Sequence, residues 1–329
     1  MPASEQARVV YIIFSEPWEL FLKKQGAPDA EIYSRNRPVL IRSDNESLTY
    51  LQKSIRSFLE HNAAHCCELE ILLVELAEGD SEDLFLALKD IAGDEKSEKV
   101  DIRITKFQQA KIAHLIDAEL RSNSAHKSPN KIHEFILFET MLGCADRYLY
   151  ISDIDTLYFK DGFIPWCTSL LSDEQKAICG FVERADGKSV YCPDRMHTVS
   201  LFIDTLRIRS LVDFAVEKDR IFDFDAKVSE LKDRREKNYF LTARRSDTLS
   251  FLTSTLRHNF EMDLVAAFND FSRLFFEDDL LVMGNEYLAH GKYLYAPIQE
   301  IMMKHYLGEQ DILAKLSGVF NGINSNPVS

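Results

Sequence analysis

Apolar residues run through the first hundred positions in two alternating periods. Val9-Val-Tyr-Ile-Ile-Phe14 is a short, nearly unbroken apolar run of strand character. Pro38-Val-Leu-Ile41 predicts another strand. It leads through Ser43-Asp44-Asn45 into Leu48, Leu51, Ile55, Phe58 and Leu59, which recur at helical spacing. Leu69-Glu-Ile-Leu-Leu-Val-Glu75 is the near-continuous pattern of a strand covered on both faces, and a helix through Leu84, Leu86, Leu88 and Ile91 follows it. Val100-Asp-Ile-Arg-Ile104 predicts one more strand. Strands alternating with helices in this way predict right-handed βαβ units and a doubly wound, mostly parallel sheet.

Beyond the polar stretch Ser122–Pro129, a helix from about 132 to 143 feeds Tyr148-Leu-Tyr-Ile151, a compact β-prone run that stops at Ser152-Asp153-Ile154-Asp155. Val199-Ser-Leu-Phe-Ile-Asp204 predicts a later strand. From about residue 210 the pattern turns mainly helical, with a charge-dense stretch at Glu230–Lys237 and a Gly/Asn/Ser/Pro-rich tail from Gly318 that is expected to fray. The expected division is a core over residues 1–210 and a mainly helical part over 211–329.

Composition narrows the classes. The chain has 329 residues, of which 46% are hydrophobic, enough for a sizeable core and too many for a disordered chain. Its net charge of −14 repels nucleic acid and anionic lipid, so no nucleic-acid partner is expected. Val9–Phe14 falls far short of the roughly 20 apolar residues of a membrane span. The first residues lack the basic flank of a secretion signal. Six cysteines without a C-x-x-C pair are expected to be reduced thiols, and a cytoplasmic location follows as an expectation.

The candidate chemistry sits at Asp153 and Asp155. A buried strand that ends in two carboxylates delivers them to the crevice at the carboxyl edge of an α/β sheet, where ligands of such sheets bind. In an extended backbone, positions 153 and 155 point to one side while Ile154 packs inward, which lets both carboxylates converge on a hard divalent cation. Asp44 and Glu75 stand near the carboxyl ends of predicted strands and are candidates for ligand contacts there, with Asn45 beside Asp44; the resemblance given below implies that the ligand is a nucleoside. Asp44 also has the character of a helix cap. Asp204, Arg207 and Arg209 are candidates for a sugar or phosphate contact, set against simple solvation of a helix start.

Three stretches resemble glycosyltransferases of the GT-A fold, in particular the retaining family that includes bacterial lipopolysaccharide sugar transferases and glycogenin. They are Ser43-Asp-Asn45 with Tyr50-Leu51, Phe135 through Asp155, and Thr198 through Arg209. The resemblance implies a GT-A (Rossmann-like) α/β sheet flanked by helices. It also implies a nucleotide-sugar donor, UDP-linked first, and Mn2+ or Mg2+ held on its diphosphate by Asp155, with Asp153 shared between the ion, its water and the ribose. A third metal ligand, often a histidine, would come from the C-terminal part. His290 is the first candidate, because Gly291 lets backbone approach a phosphate and Lys292 can pair with it. His305 is the second. Glu277 and Asp278 look like the acidic pair that supplies the general base in inverting members, against the alternative of an acidic helix start. The acceptor would be a glycan, a lipid-linked sugar or a protein.

Two other readings stay open on sequence. Asp153-Ile-Asp155-Thr156 is similar to the nucleophile loop of haloacid-dehalogenase-type phosphatases, although Leu157 stands where that family places Thr or Val. A non-catalytic nucleotide-sugar-binding protein with the same sheet is the third.

Overall fold

The computed structural model describes residues 6–16, 18–26, 44–77, 81–95, 97–121, 130–154, 156–158, 160–173, 175–182, 196–216, 265–268, 274–275, 281–284 and 287–291. Among them the strands are β1 (Ala7–Phe14), β2 (Cys66–Val74), β3 (Ile102–Phe107), β4 (Tyr148–Ser152), β5 (Thr156–Tyr158), β6 (Ile178–Val182), β7 (Met196–Asp204), β8 (Val265–Ala267), β9 (Leu274–Phe275), β10 (Leu281–Gly284) and β11 (Leu288–Gly291). The helices are α1 (Trp18–Lys24), α2 (Asp44–Asn62), α3 (Glu82–Asp94), α4 (Gln109–Arg121), α5 (Asn130–Gly143), α6 (Phe163–Leu170) and α7 (Thr205–Val216). The strand expected at 38–41 lies outside the described residues.

Seven strands form one sheet in the order β3-β2-β1-β4-β7-β6-β8. β1 pairs in parallel with both β2 and β4, and β2 with β3. β7 runs against its neighbours β4 and β6, while β8 is parallel to β6. The expected mostly parallel sheet flanked by helices is therefore present, with β7 as its reversed strand.

Two apolar layers cover the two faces, and strand alternation sorts the residues between them. Val10, Leu72, Leu149, Ile151, Leu201 and Ile203 face Ile112 and Ile116 of α4, Ile136 and Met141 of α5, and Ile208 of α7. Val9, Tyr11, Ile71, Tyr148, Tyr150 and Phe202 face Leu51, Ile55 and Phe58 of α2 and Phe163 and Ile164 of α6. Covered from both sides, β4 is buried along its whole length, which explains its unbroken apolar pattern.

A second, four-stranded antiparallel sheet, β5-β11-β10-β9, packs beside the first. The described segments between 265 and 291 are strands rather than the helices expected there. Val265-Ala-Ala, Leu281-Val-Met and Leu288-Ala are short apolar runs, which sequence periodicity assigns to strand or helix with equal ease. Their partners lie far away in the chain: β8 joins β6, and β11 joins β5. Segments on both sides of residue 210 thus share both sheets.

The reversal of β7 relocates three expected site residues. Asp204 ends β7 opposite Tyr148, the first residue of β4, so it lies at the edge of the sheet away from Asp153. There its carboxylate, 1% exposed, accepts from Arg147 Nη2 at 3.1 Å and from the main-chain N–H of Arg207 at 3.2 Å, capping α7. The Arg207 guanidinium donates to the carbonyls of Leu171 and Asp173, both at 2.8 Å, and of Lys176, while Arg209 donates to the Cys144 carbonyl. These side chains brace the lower edge of the sheet, and the sugar or phosphate contact expected of them is set aside.

Two measurements test this architecture. Phe58 is fully buried, with its ring 5.1 Å from that of Tyr158 and 6.0 Å from that of Tyr150. Phe58→Ala should lower unfolding free energy in urea by about 3–5 kcal/mol through the cavity it leaves. Asp204→Asn should cost about 1–2 kcal/mol, from a weakened cap and a lost ion pair, in the same titration.

Candidate functional site

Asp153 follows the last residue of β4 directly. β4 ends at Ser152, opposite Tyr11 of β1 on one side and Ser200 of β7 on the other. β1 continues for residues 12–14 beyond that level and β7 for residues 196–199. At roughly 3.3 Å per residue, β1 and β7 run about 10 Å past the end of β4, so that among the described residues the strand ends form a notch with Asp153 at its floor. That notch opens at the carboxyl edge of the parallel strands, the side on which open α/β sheets bind their ligands.

The motif is not extended. The Thr156 N–H donates to the Asp153 carbonyl at 3.4 Å, so residues 153–156 make a tight turn from β4 into β5. Asp155 lies outside the described residues, and with it the convergence expected of the 153 and 155 carboxylates. Ile154 packs against the layer that holds Tyr150 and Phe163, as its place between the two aspartates predicts.

β5 then pairs antiparallel with β11. Leu288 stands opposite Tyr158, Ala289 opposite Leu157, and His290 opposite Thr156, the residue after Asp155. Two segments 134 positions apart (290 − 156) are thereby brought side by side. Thr156 is fully buried, and its Oγ1 has no hydrogen-bond partner among the described residues.

Below the turn lies a hydroxyl network inside an otherwise apolar layer. Ser152 Oγ donates to the Asp153 carbonyl (3.1 Å) and lies 2.8 Å from Tyr158 Oη. Tyr158 Oη is 2.5 Å from Tyr150 Oη, which is 2.9 Å from Ser200 Oγ. Tyr11 Oη bonds Ser54 Oγ of α2 at 3.1 Å, and Ser57 Oγ accepts from the Tyr158 main-chain N–H at 3.1 Å. Burial pushes Tyr11, Tyr150 and Tyr158 far above the ordinary phenol range, so each keeps its proton at any physiological pH.

Around the notch the acidic candidates divide. α2 opens with Asp44 and Asn45. Ser54 of the same helix sits at the level of Tyr11, so the helix start projects about 15 Å past that level, on the crevice side. Glu75 follows β2, but its carboxylate accepts from Ser81 Oγ and from Lys106 Nζ (3.0 Å). The Ser81 hydrogen bond, with help from Lys106, holds its pKa below the usual carboxylate value. This interaction stabilises the fold above the unfolded carboxylate range and is lost as pH falls through the lowered value.

Glu16 was not singled out from the sequence. It follows β1 by two residues at the same edge and is 8% exposed, with one oxygen 2.9 Å from Lys24 Nζ and the other without a hydrogen-bond partner among the described residues. The signal was an acidic residue just past the first strand, the same signal that marked Glu75. Lys292, Glu277, Asp278 and His305 lie outside the described residues. Among the described residues no three His, Cys, Asp or Glu side chains cluster as a metal site, and the expected trio includes Asp155, which lies beyond them.

No protein-family model matches the chain, and no curated protein sequence does. Solved structures do align with it. The galactosyltransferase LgtC, solved with donor and acceptor sugar analogues, is 14% identical over 80% of this chain and 73% of its own, with a TM-score of 0.44. Mouse xyloside xylosyltransferase 1 is 9% identical over 80% of this chain and 85% of its own, with a TM-score of 0.42. A mannosyltransferase from Pyrobaculum calidifontis, solved with GDP-Man and Mn2+, is 12% identical over 64% of this chain and 47% of its own, with a TM-score of 0.33. All three are glycosyltransferases.

Proposed function

We propose that the protein is a divalent-metal-dependent glycosyltransferase that moves a sugar from a nucleotide sugar, UDP-linked first, to an acceptor hydroxyl. The observation that carries this reading is the notch: a buried strand ends in Asp153 below two longer strands, and a distant strand brings His290 opposite the residue that follows Asp155.

The donor set fits Mn2+ or Mg2+. Two carboxylates and an imidazole are hard to borderline ligands, and the buried hydroxyl of Thr156, without a hydrogen-bond partner among the described residues, marks a spot where a polar group is wanted. Asp153, Asp155 and His290 would hold the ion. When bound, it supplies Lewis-acid neutralisation of the charge that grows on the departing nucleoside diphosphate. A chain of net charge −14 otherwise repels such an anion, so the same three residues decide whether the donor is accepted at all.

In this reading the remaining residues bind and orient. Asp44 and Asn45 at the start of α2, with Glu16 at the end of β1, stand where the nucleoside enters the crevice. Lys292, next after β11, pairs with the diphosphate. Glu75, already engaged by Ser81 and Lys106, fixes the end of β2 rather than meeting ligand. The stereochemical outcome stays open in this reading; in an inverting transfer, Glu277 or Asp278 would take the proton from the acceptor hydroxyl as that oxygen attacks the anomeric carbon and the bond to the diphosphate breaks.

The test is to incubate the protein with Mn2+ and a panel of nucleotide sugars and to measure free nucleoside diphosphate. Release is expected from at least one sugar nucleotide and should stop on chelation with EDTA. Asp155→Ala should lower the rate by about a hundredfold. Absence of binding and of hydrolysis across the whole panel, or phosphate release from an aryl phosphate in its place, overturns the proposal.

A further inference from the structure

The hydroxyl network beneath the turn runs in one direction when Ser152 gives its proton to the Asp153 carbonyl and every other contact is also a hydrogen bond. Ser152 Oγ carries one proton and gives it to the Asp153 carbonyl, so the Ser152–Tyr158 hydrogen bond needs the Tyr158 proton. With that proton spent, the contact between the two phenols needs the proton of Tyr150, and Tyr150 in turn accepts from Ser200. The sequence of donors is Ser200, Tyr150, Tyr158, Ser152 and finally the Asp153 carbonyl. It crosses from β7 through β4 to β5 and ends on the backbone of the acidic motif.

All four donor side chains are 0–1% exposed, and none is charged. A closed polar chain inside an apolar layer adds little net stability, because each hydroxyl must first be stripped of water. What it does add is uniqueness of position: each bond polarises the next, and one geometry satisfies them all. Its terminal acceptor is the carbonyl that also receives the Thr156 N–H, so the chain and the turn meet on one oxygen. Tyr158 is further anchored to α2 by its main-chain bond to Ser57 and sits opposite Leu288, two register pairs from the strand position of His290.

We infer that Tyr158 and Ser152 are positioning residues, and that their hydroxyls hold the Asp153–Thr156 turn in the geometry that binds the divalent cation. The inference rests on the proposed glycosyltransferase reading. Two carboxylates two positions apart in the chain repel each other before the ion arrives, and a loosely held backbone would let them move apart. Fixing its backbone in advance means that less order has to be gained on binding.

Tyr158→Phe removes the central hydroxyl with little change in ring volume, and Ser152→Ala removes the last donor with the loss of a single oxygen. Asp204→Asn, at the opposite edge of the sheet, serves as the control for stability. Binding of Mn2+ in the presence of UDP is measured by titration calorimetry well below each melting temperature. The two network variants are expected to bind Mn2+ about tenfold more weakly, the loss typical when a group that orients a metal ligand is removed. Asp204→Asn is expected to melt earlier and to bind as the wild type does. Wild-type affinity in both network variants would show that the hydroxyls serve packing alone and would overturn the inference while leaving the functional reading intact. If Tyr158→Phe does not fold, Ser152→Ala decides the matter alone. A wild-type protein that binds no Mn2+ with UDP overturns both.

Discussion

Because β4 is buried along its length and ends level with Tyr11 and Ser200, the chain must leave the sheet at Asp153 while β1 and β7 continue on either side. Among the described residues, a strand that stops short between longer neighbours leaves a step in the sheet edge. A carboxylate at that point stands where backbone from two other strands forms the walls. The turn into β5, the pairing of β5 with β11 and the arrival of His290 opposite Thr156 all follow from this one termination.

The two faces of the sheet meet different demands. The face under α4, α5 and α7 is apolar around residues such as Leu149, Ile151 and Ile203. The face under α2 and α6 carries Tyr11, Tyr150 and Tyr158, large side chains that fill volume yet bring hydroxyls into a dry layer. A buried hydroxyl is tolerated only when it finds a partner, and Ser54, Ser152 and Ser200 are placed to supply them. Polarity is concentrated beneath the acidic turn, on the face where α2 begins at the crevice edge. The lower edge uses charge instead, with Asp204, Arg147 and Arg207 fixing the start of α7.

The direction of β7 shows how one backbone choice reassigns chemistry. Val199–Asp204 reads equally well as a strand in either sense, since alternation and β-branching carry no polarity along the chain. In the observed antiparallel sense, the residues that begin β7 flank the notch, and Asp204, which ends it, is carried to the far side. The acidic turn was similarly legible as a strand end. Its geometry was not, because whether two residues continue a strand or bend away depends on what blocks the next ladder position.

The sequence by itself determined the alternation of strands and helices, the two-sided burial of β4, the helix over Asp44–Asn62 and the place of the aspartates at a strand end, since hydrophobic period and chain order are local properties. Tertiary structure alone decided which strands run in reverse, that residues 265–291 contribute strands to both sheets, that Glu75 is engaged by Ser81 and Lys106, and that Ser152 lies at one end of a hydroxyl network reaching Ser200. Each of these depends on partners tens to more than a hundred residues away or on side chains meeting across a face. Pairing of that kind is set by how the layers close, which no window of neighbouring residues records.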